Sequence, residues 1–168
     1  MITPEFCRTM ARYNAWQNKS LQVAADGLAE DARRADRGAF FGSIFGTLNH
    51  LLWADTIWMS RFDGWRKPKG GISDSPRFTS EWVALKAARG DADQRIKTWA
   101  RRLTEADLQG DLAWFSGALG ANVQKSYGFC VQHFFNHQTH HRGQVHAMLT
   151  AAGAKPADTD LFIMPEDA

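Results

Sequence analysis

The stretch HFFNHQTHHRGQVH, residues 133–146, contains five of the six histidines of the chain. Phenylalanine, valine and methionine residues surround these histidines, which indicates a helix that is largely buried. We predict that this helix runs from about Val123 to Ala152, because Gly153 and then Pro156 supply the usual signals for a helix end. The rest of the chain must then supply the elements that cover it.

Three further helical patterns precede this stretch. The first helix is expected to have Thr3 as its cap and Pro4 at its first position, and to end near Gly27. The second is expected to have Ser43 as its cap and to end near Gly64. The third is expected to run from Thr79 to about Leu103. Residues 109–122 contain turn residues without a helical period, and we expect an irregular segment or a short hairpin. The last ten residues are expected to be extended against the bundle. The sequence therefore predicts an all-α fold, a four-helix bundle in a single domain spanning residues 1–168.

Composition narrows the possible functions. The chain has 168 residues, 44% of them hydrophobic and 23% charged, with a formal net charge of +2. This near-balance, without a nucleic-acid-binding motif, argues against a nucleic-acid partner. Cys7 and Cys130 form no CxxC pair, and no apolar stretch reaches membrane-spanning length. We therefore expect a cytoplasmic protein without a membrane partner, large enough to fold without a structural metal.

The spacing of the histidines places most of them on one side of the last helix. At about 100° per residue, one sector holds His133, His137, His140, His141 and Gln144. His146 falls on the opposite side. Two histidines four residues apart can bind one cation, and the sector offers two such pairs, 133/137 and 137/141. Each pair is also compatible with an ordinary polar contact on a buried or exposed face.

A third ligand must come from another helix, and His50 is the one remaining candidate. A single histidine on an apolar helix is often only a hydrogen-bonded core residue, but the histidines of the last helix favour a ligand. No HExxH motif places a glutamate beside the pair as a base. Three neutral histidines leave a metal position open for water or substrate, which is typical of a catalytic site.

Three motifs stand in the same order as in a known group of proteins. These are GTLNHLLWAD at 46–55, HFFNHQTHHRGQ at 133–144 and VHAMLTAAG at 145–153. Over essentially its whole length the chain resembles the DinB/YfiT-like family of bacterial four-helix-bundle proteins. The resemblance implies an up-and-down bundle, frequent homodimers, and a zinc or nickel ion bound by His50, His137 and His141.

The resemblance also suggests a reaction. The family includes thiol-dependent isomerases and S-transferases, so the first hypothesis is a metal-dependent enzyme that transfers a low-molecular-weight thiol to an electrophilic small molecule. One alternative is a metal-dependent hydrolase that uses hydroxide bound to the metal. The other is a non-catalytic metal-binding dimer of the stress response.

Four nearby residues receive provisional roles. We expect His133 and Gln144 to line the substrate pocket, and His140 to make a core or interface contact. Asp55 is expected on the helix surface or paired with Arg142.

Overall fold

The computed structural model describes residues 2–168, and in this range the chain is mainly helical with one small sheet. The helices are α1 (Pro4–Asp26), α2 (Glu30–Arg34), α3 (Ile44–Phe62), α4 (Trp82–Arg102) and α5 (Tyr127–Ala151). Strands β1 (Asp111–Ser116) and β2 (Ala121–Ser126) form an antiparallel hairpin between α4 and α5. Single 3-10 turns occur at Ser75–Arg77, Ala106–Leu108 and Leu161–Ile163. The all-α prediction is therefore confirmed only in part, because a short helix and a hairpin accompany the four long helices.

The first two long helices begin where their caps predict. The Thr3 hydroxyl accepts a hydrogen bond from the Phe6 N–H at 3.1 Å, and the Ser43 hydroxyl accepts one from the Gly46 N–H at 3.0 Å. Each cap satisfies a backbone donor that has no partner within the helix. The caps thus fix the starts of α1 and α3.

The starts of the other two long helices differ from the prediction. Thr79 does not begin α4, because its N–H and hydroxyl both donate to the Asn49 side-chain oxygen, at 2.7 and 2.9 Å, and α4 starts at Trp82. Val123 does not begin α5, because it lies in β2 and pairs with Trp114 of β1. The hairpin, one of the two structures expected there, takes the residues assigned to the first turn of the helix.

Four long helices enclose the apolar core. α1 packs against α4 and α5, and α3 packs against the same two helices. The largest buried side chains include Phe134, Phe135, Leu21, Ile44 and Met59. The two phenylalanines within the histidine-rich stretch are each 1% exposed, so the face of α5 that carries them is the core face. The predicted burial is confirmed for this face of the helix, while the opposite face is exposed.

A layer of buried polar side chains crosses the bundle beside this core. We name it the polar layer, and it consists of Asn14 and Asn18 on α1, Asp55 on α3, Arg89 and Asp93 on α4, and Gln138 and Arg142 on α5. Asp55 accepts from Arg89 at 2.5 Å and from Gln138 at 2.8 Å, and Arg89 lies 2.8 Å from Asp93. The surface position expected for Asp55 is wrong, as is the expected pairing with Arg142, since Asp55 is 1% exposed and bonded to α4 and α5.

The C-terminal segment lies along α1. The Arg12 guanidinium donates to the carbonyl oxygens of Pro165, Glu166 and Ala168, and the Tyr13 hydroxyl donates to that of Thr159 at 2.6 Å. These contacts agree with the expected position of the segment, although one 3-10 turn interrupts it. Among residues 2–168, none of the helices has the length and apolar character needed to cross a membrane.

Candidate metal centre

Three histidines from two helices meet at one point of the bundle. His50 lies in the middle of α3, while His137 and His141 lie one turn apart on α5. One ring nitrogen from each is found within 4.8 Å of the other two. The Nε2 atoms of His50 and His137 are only 3.2 Å apart. The structure therefore brings together the three histidines that the family resemblance implied.

Hydrogen bonds orient two of these rings. Nδ1 of His50 lies 2.8 Å from the Ser75 hydroxyl, which itself donates to the Ile72 carbonyl at 2.6 Å. Since the hydroxyl proton is already used, Ser75 accepts the Nδ1 proton of His50. Nδ1 of His141 likewise lies 2.7 Å from the side-chain oxygen of Gln144, an atom that only accepts. Both rings therefore carry their proton on Nδ1 and present the Nε2 lone pair.

The environment keeps the imidazoles neutral. Burial lowers the pKa of His50 to about 3, with a further contribution from His141. Burial also lowers the pKa of His137 to about 3, and the neighbouring histidines add to this shift. The pKa of His141 is lowered by burial as well, against the opposing effect of Gln144. Neutral imidazole is the form that binds a metal ion.

The donor set fits a divalent metal ion. Nitrogens bound to zinc at the usual distance in a tetrahedral arrangement lie about 3.3 Å apart. The 3.2 Å separation of the two Nε2 atoms is close to this value, whereas two lone pairs at that distance repel each other without a cation or a proton between them. Within the described chain, no cysteine, aspartate or glutamate joins the three histidines. The three residues can thus hold a metal ion and leave a coordination position free.

Aromatic side chains close one side of the centre. The Phe41 ring stacks on His50 with the ring centres 3.7 Å apart and lies 5.3 Å from His141. Gly42, at φ 74°, allows the tight turn that connects this phenylalanine to the start of α3. The other side is more open, because His137 is only half-buried and His133 and His140 are exposed. This second side of the centre is therefore the more exposed one.

The sequence was compared with known proteins. The family model described as the DinB family matches residues 1–167. The chain belongs to the DinB family. No curated protein and no solved structure matches it. The family assignment made from the motifs is confirmed, and DinB membership together with the buried histidines fits a metal-binding protein.

Three further residues near the centre of this DinB chain agree only in part with the roles expected from the sequence. The His133 ring lies 5.8 Å from that of His137 and 5.0 Å from that of Trp58, beside the centre on its open side. Gln144 was expected to line the pocket, and its side chain accepts a hydrogen bond from His141 and so orients that ring. The expectation of a core contact for His140 is wrong, because this side chain is exposed next to His141.

Two residues of this DinB centre had not been identified from the sequence. Ser75 lies in a loop rich in glycine, and Phe41 lies in the turn before α3. Neither has a periodic pattern or a motif, and their contacts with His50 span 25 and 9 positions of the chain. Only the folded arrangement of these loops reveals them.

Proposed function

We propose that the protein is a divalent-metal-dependent enzyme that transfers a low-molecular-weight thiol to an electrophilic small molecule, with His50, His137 and His141 as the metal ligands and zinc or nickel as the metal. The observation that carries the proposal is the convergence of neutral imidazole nitrogens with an open side. Ligand sets of three residues with a free position are typical of catalytic rather than structural sites.

The chemistry follows from the charge of the ligands. A divalent ion held by three neutral histidines retains its positive charge and supplies the Lewis acidity that lets a thiol ionise near neutral pH. In the overall reaction the thiol proton goes to solvent and sulfur forms a bond to the electrophilic carbon. The leaving group departs with the electron pair of its bond to that carbon, or, in an addition, a proton is taken up from solvent.

The protein residues orient and shield this centre. Ser75 and Gln144 fix the His50 and His141 rings so that their Nε2 atoms face inward. Phe41 covers one face of His50 and keeps water from it. Among the described residues, no carboxylate belongs to the histidine group, so no protein base accompanies it. Neither a thiol nor a water molecule bound to a divalent ion would need one, so the preference for thiol transfer over hydrolysis rests on the resemblance to thiol-dependent transferases.

The test is a conjugation assay on metal-loaded protein. We expect conversion of a small electrophile such as 1-chloro-2,4-dinitrobenzene to require both the metal and an added thiol. His141→Ala should abolish the reaction, whereas His146→Ala, on a different face of α5, should not. Turnover of an ester or amide without thiol would support a hydrolase. Stoichiometric metal without either activity would support the non-catalytic alternative.

A further inference from the structure

Arg61, near the end of α3, is a half-buried cation without an acidic partner in residues 2–168. Its guanidinium carbon lies 4.5 Å from the centre of the Trp58 ring and 5.2 Å from that of Trp114. Trp114 belongs to β1, so the hairpin carries it to α3, where the two indole rings are 5.5 Å apart. We name Arg61, Trp58 and Trp114 the arginine wall.

The arginine wall adjoins the open side of the metal centre. Trp58 lies 5.0 Å from the His133 ring, which lies 5.8 Å from the ring of the ligand His137. A molecule bound at the centre and extending past His133 therefore meets a cation.

The charge balance of this region is positive. The three ligands are neutral, and so are the residues that orient them, Ser75 and Gln144. The buried carboxylate of Asp55 is paired with Arg89 and does not serve Arg61. A half-buried guanidinium that stacks on aromatic rings keeps its N–H groups available, and its preferred partners are carboxylates and phosphates.

Helix geometry sets a length for the ligand. Arg61 follows His50 by roughly three turns, or about 16 Å along the axis. Long side chains on a helix point back toward its N-terminus, so the guanidinium approaches the centre and leaves a gap of about 10 Å. A carboxylate some seven or eight bonds from the reacting atom spans such a gap.

Resting on the proposed function, we propose that the arginine wall binds the carboxylate of a substrate whose reacting atom lies at the histidine centre. The substrate class is then a small carboxylic acid of extended shape. The carboxylate belongs either to the thiol or to the electrophile, and the two arms of the following experiment separate these sources.

The first arm measures thiol binding to the cobalt(II)-loaded protein through the sulfur-to-cobalt absorption band. The probes are 8-mercaptooctanoate, its uncharged analogue 8-mercapto-1-octanol, and 3-mercaptopropionate, which is too short to reach Arg61. We expect the long acid to bind at least about tenfold more tightly than the alcohol, as for a hydrogen bond to a charged group. Arg61→Gln should remove this preference, and Arg61→Lys should retain part of it.

The matched control is Arg66→Gln, which removes the same charge from an exposed loop residue after α3.

The second arm follows the metal-dependent addition of 2-mercaptoethanol to 6-maleimidohexanoate and to N-hexylmaleimide. If the acidic maleimide reacts faster than the uncharged one and Arg61→Gln removes this difference, the carboxylate belongs to the electrophile. If only the first arm shows a preference for the acid, the carboxylate belongs to the thiol. Circular dichroism verifies that each variant is folded.

The results separate the two proposals. Equal binding and equal rates for the charged and uncharged probes in the unsubstituted protein would overturn the role of the arginine wall while leaving thiol transfer intact. A preference that persists in Arg61→Gln would overturn it as well. If cobalt is bound and none of the three thiols changes its spectrum, the proposed thiol transfer itself is wrong.

Discussion

Two buried polar clusters share α3 and α5, and they differ in how their charges and lone pairs are arranged. In the polar layer, Arg89 pairs with both Asp55 and Asp93, and Arg142 is buried in the same layer, so the formal charges of two aspartates and two arginines balance. In the candidate metal centre, three uncharged imidazoles place one ring nitrogen each within 4.8 Å of the other two. The clusters are adjacent in sequence as well, because Gln138 follows His137 and Arg142 follows His141.

This difference separates a structural role from a binding role. Asp55 bonds to both Arg89 and Gln138, so its burial is compensated by the protein itself. The Nε2 atoms of His50 and His137 lie 3.2 Å apart, and among the described residues no carboxylate belongs to their group. Three neutral ring nitrogens placed in this way could hold a metal ion.

The largest expected effect is the loss of the metal from the histidine centre. We predict that the unsubstituted protein contains one divalent ion per chain and that His137→Ala contains no stoichiometric metal. Removal of a ligand should lower the metal affinity by more than the roughly 10- to 100-fold seen for residues that only orient ligands. Elemental analysis of both proteins measures this. His133→Ala should keep its metal, and equal metal content in His137→Ala would refute the ligand set.

The polar layer should respond in stability instead. Asp55→Ala leaves the Arg89 guanidinium buried with one of its two carboxylate partners removed, and we expect the free energy of unfolding to fall by about 3–5 kcal/mol. Denaturant titration of the metal-free protein measures it. Replacing Asp55 and Arg89 together by apolar residues should recover part of the lost free energy of unfolding. A change below about 1 kcal/mol would show that this layer contributes as little as a surface ion pair.

Residues that only orient the ligands should have a smaller effect on metal binding. Ser75→Ala and Gln144→Ala each remove the acceptor that holds an Nδ1 proton, and we predict a loss of about 10- to 100-fold in metal affinity with the stoichiometry unchanged. Competition with a chromophoric chelator gives the affinity. Gln132→Ala, whose side chain bonds only to Asn136, is the control. Unchanged affinity in both variants would argue against the assigned tautomers.

The most gradual expected effect concerns the stability of the metal-free protein in acid. The pKa values of His50 and His137 are lowered from 6.5 to about 3, so the unfolded chain takes up protons that the folded chain does not. Their contribution to stability is full above pH 6.5 and is lost progressively as the pH falls from 6.5 toward 3. Unfolding titrations at several pH values measure the slope. The same slope in a variant lacking both histidines would contradict it.

The sequence alone identified the parts of this arrangement that depend on local pattern. Thr3 and Ser43 mark helix starts because a cap acts within three residues of itself. The spacing of four residues offered the pairs 133/137 and 137/141, and the resemblance to the DinB family selected His137 and His141 from them. His50 required only that a third ligand exist.

The features that escaped sequence reasoning depend on contacts between distant segments. Asp55 was expected on the surface because nothing in its own helix reveals Arg89, 34 positions away. Ser75 and Phe41 reach His50 from loops. Val123 was assigned to α5 because β2 contains one large apolar residue and leads directly into that helix, so the sequence shows no boundary between them.

The hairpin and the long helices carry different residues around the three histidines, and this separation has an evolutionary consequence. The histidines of the candidate metal centre are on helices that also build the core, so substitutions there endanger folding. Trp114 lies instead on a two-stranded hairpin between α4 and α5, with exposed residues on either side of it in β1. Loops of this kind tolerate insertions and exchange. A lineage can thus alter the surface beside the three histidines by remodelling the hairpin, while the helices that position the histidines are inherited unchanged.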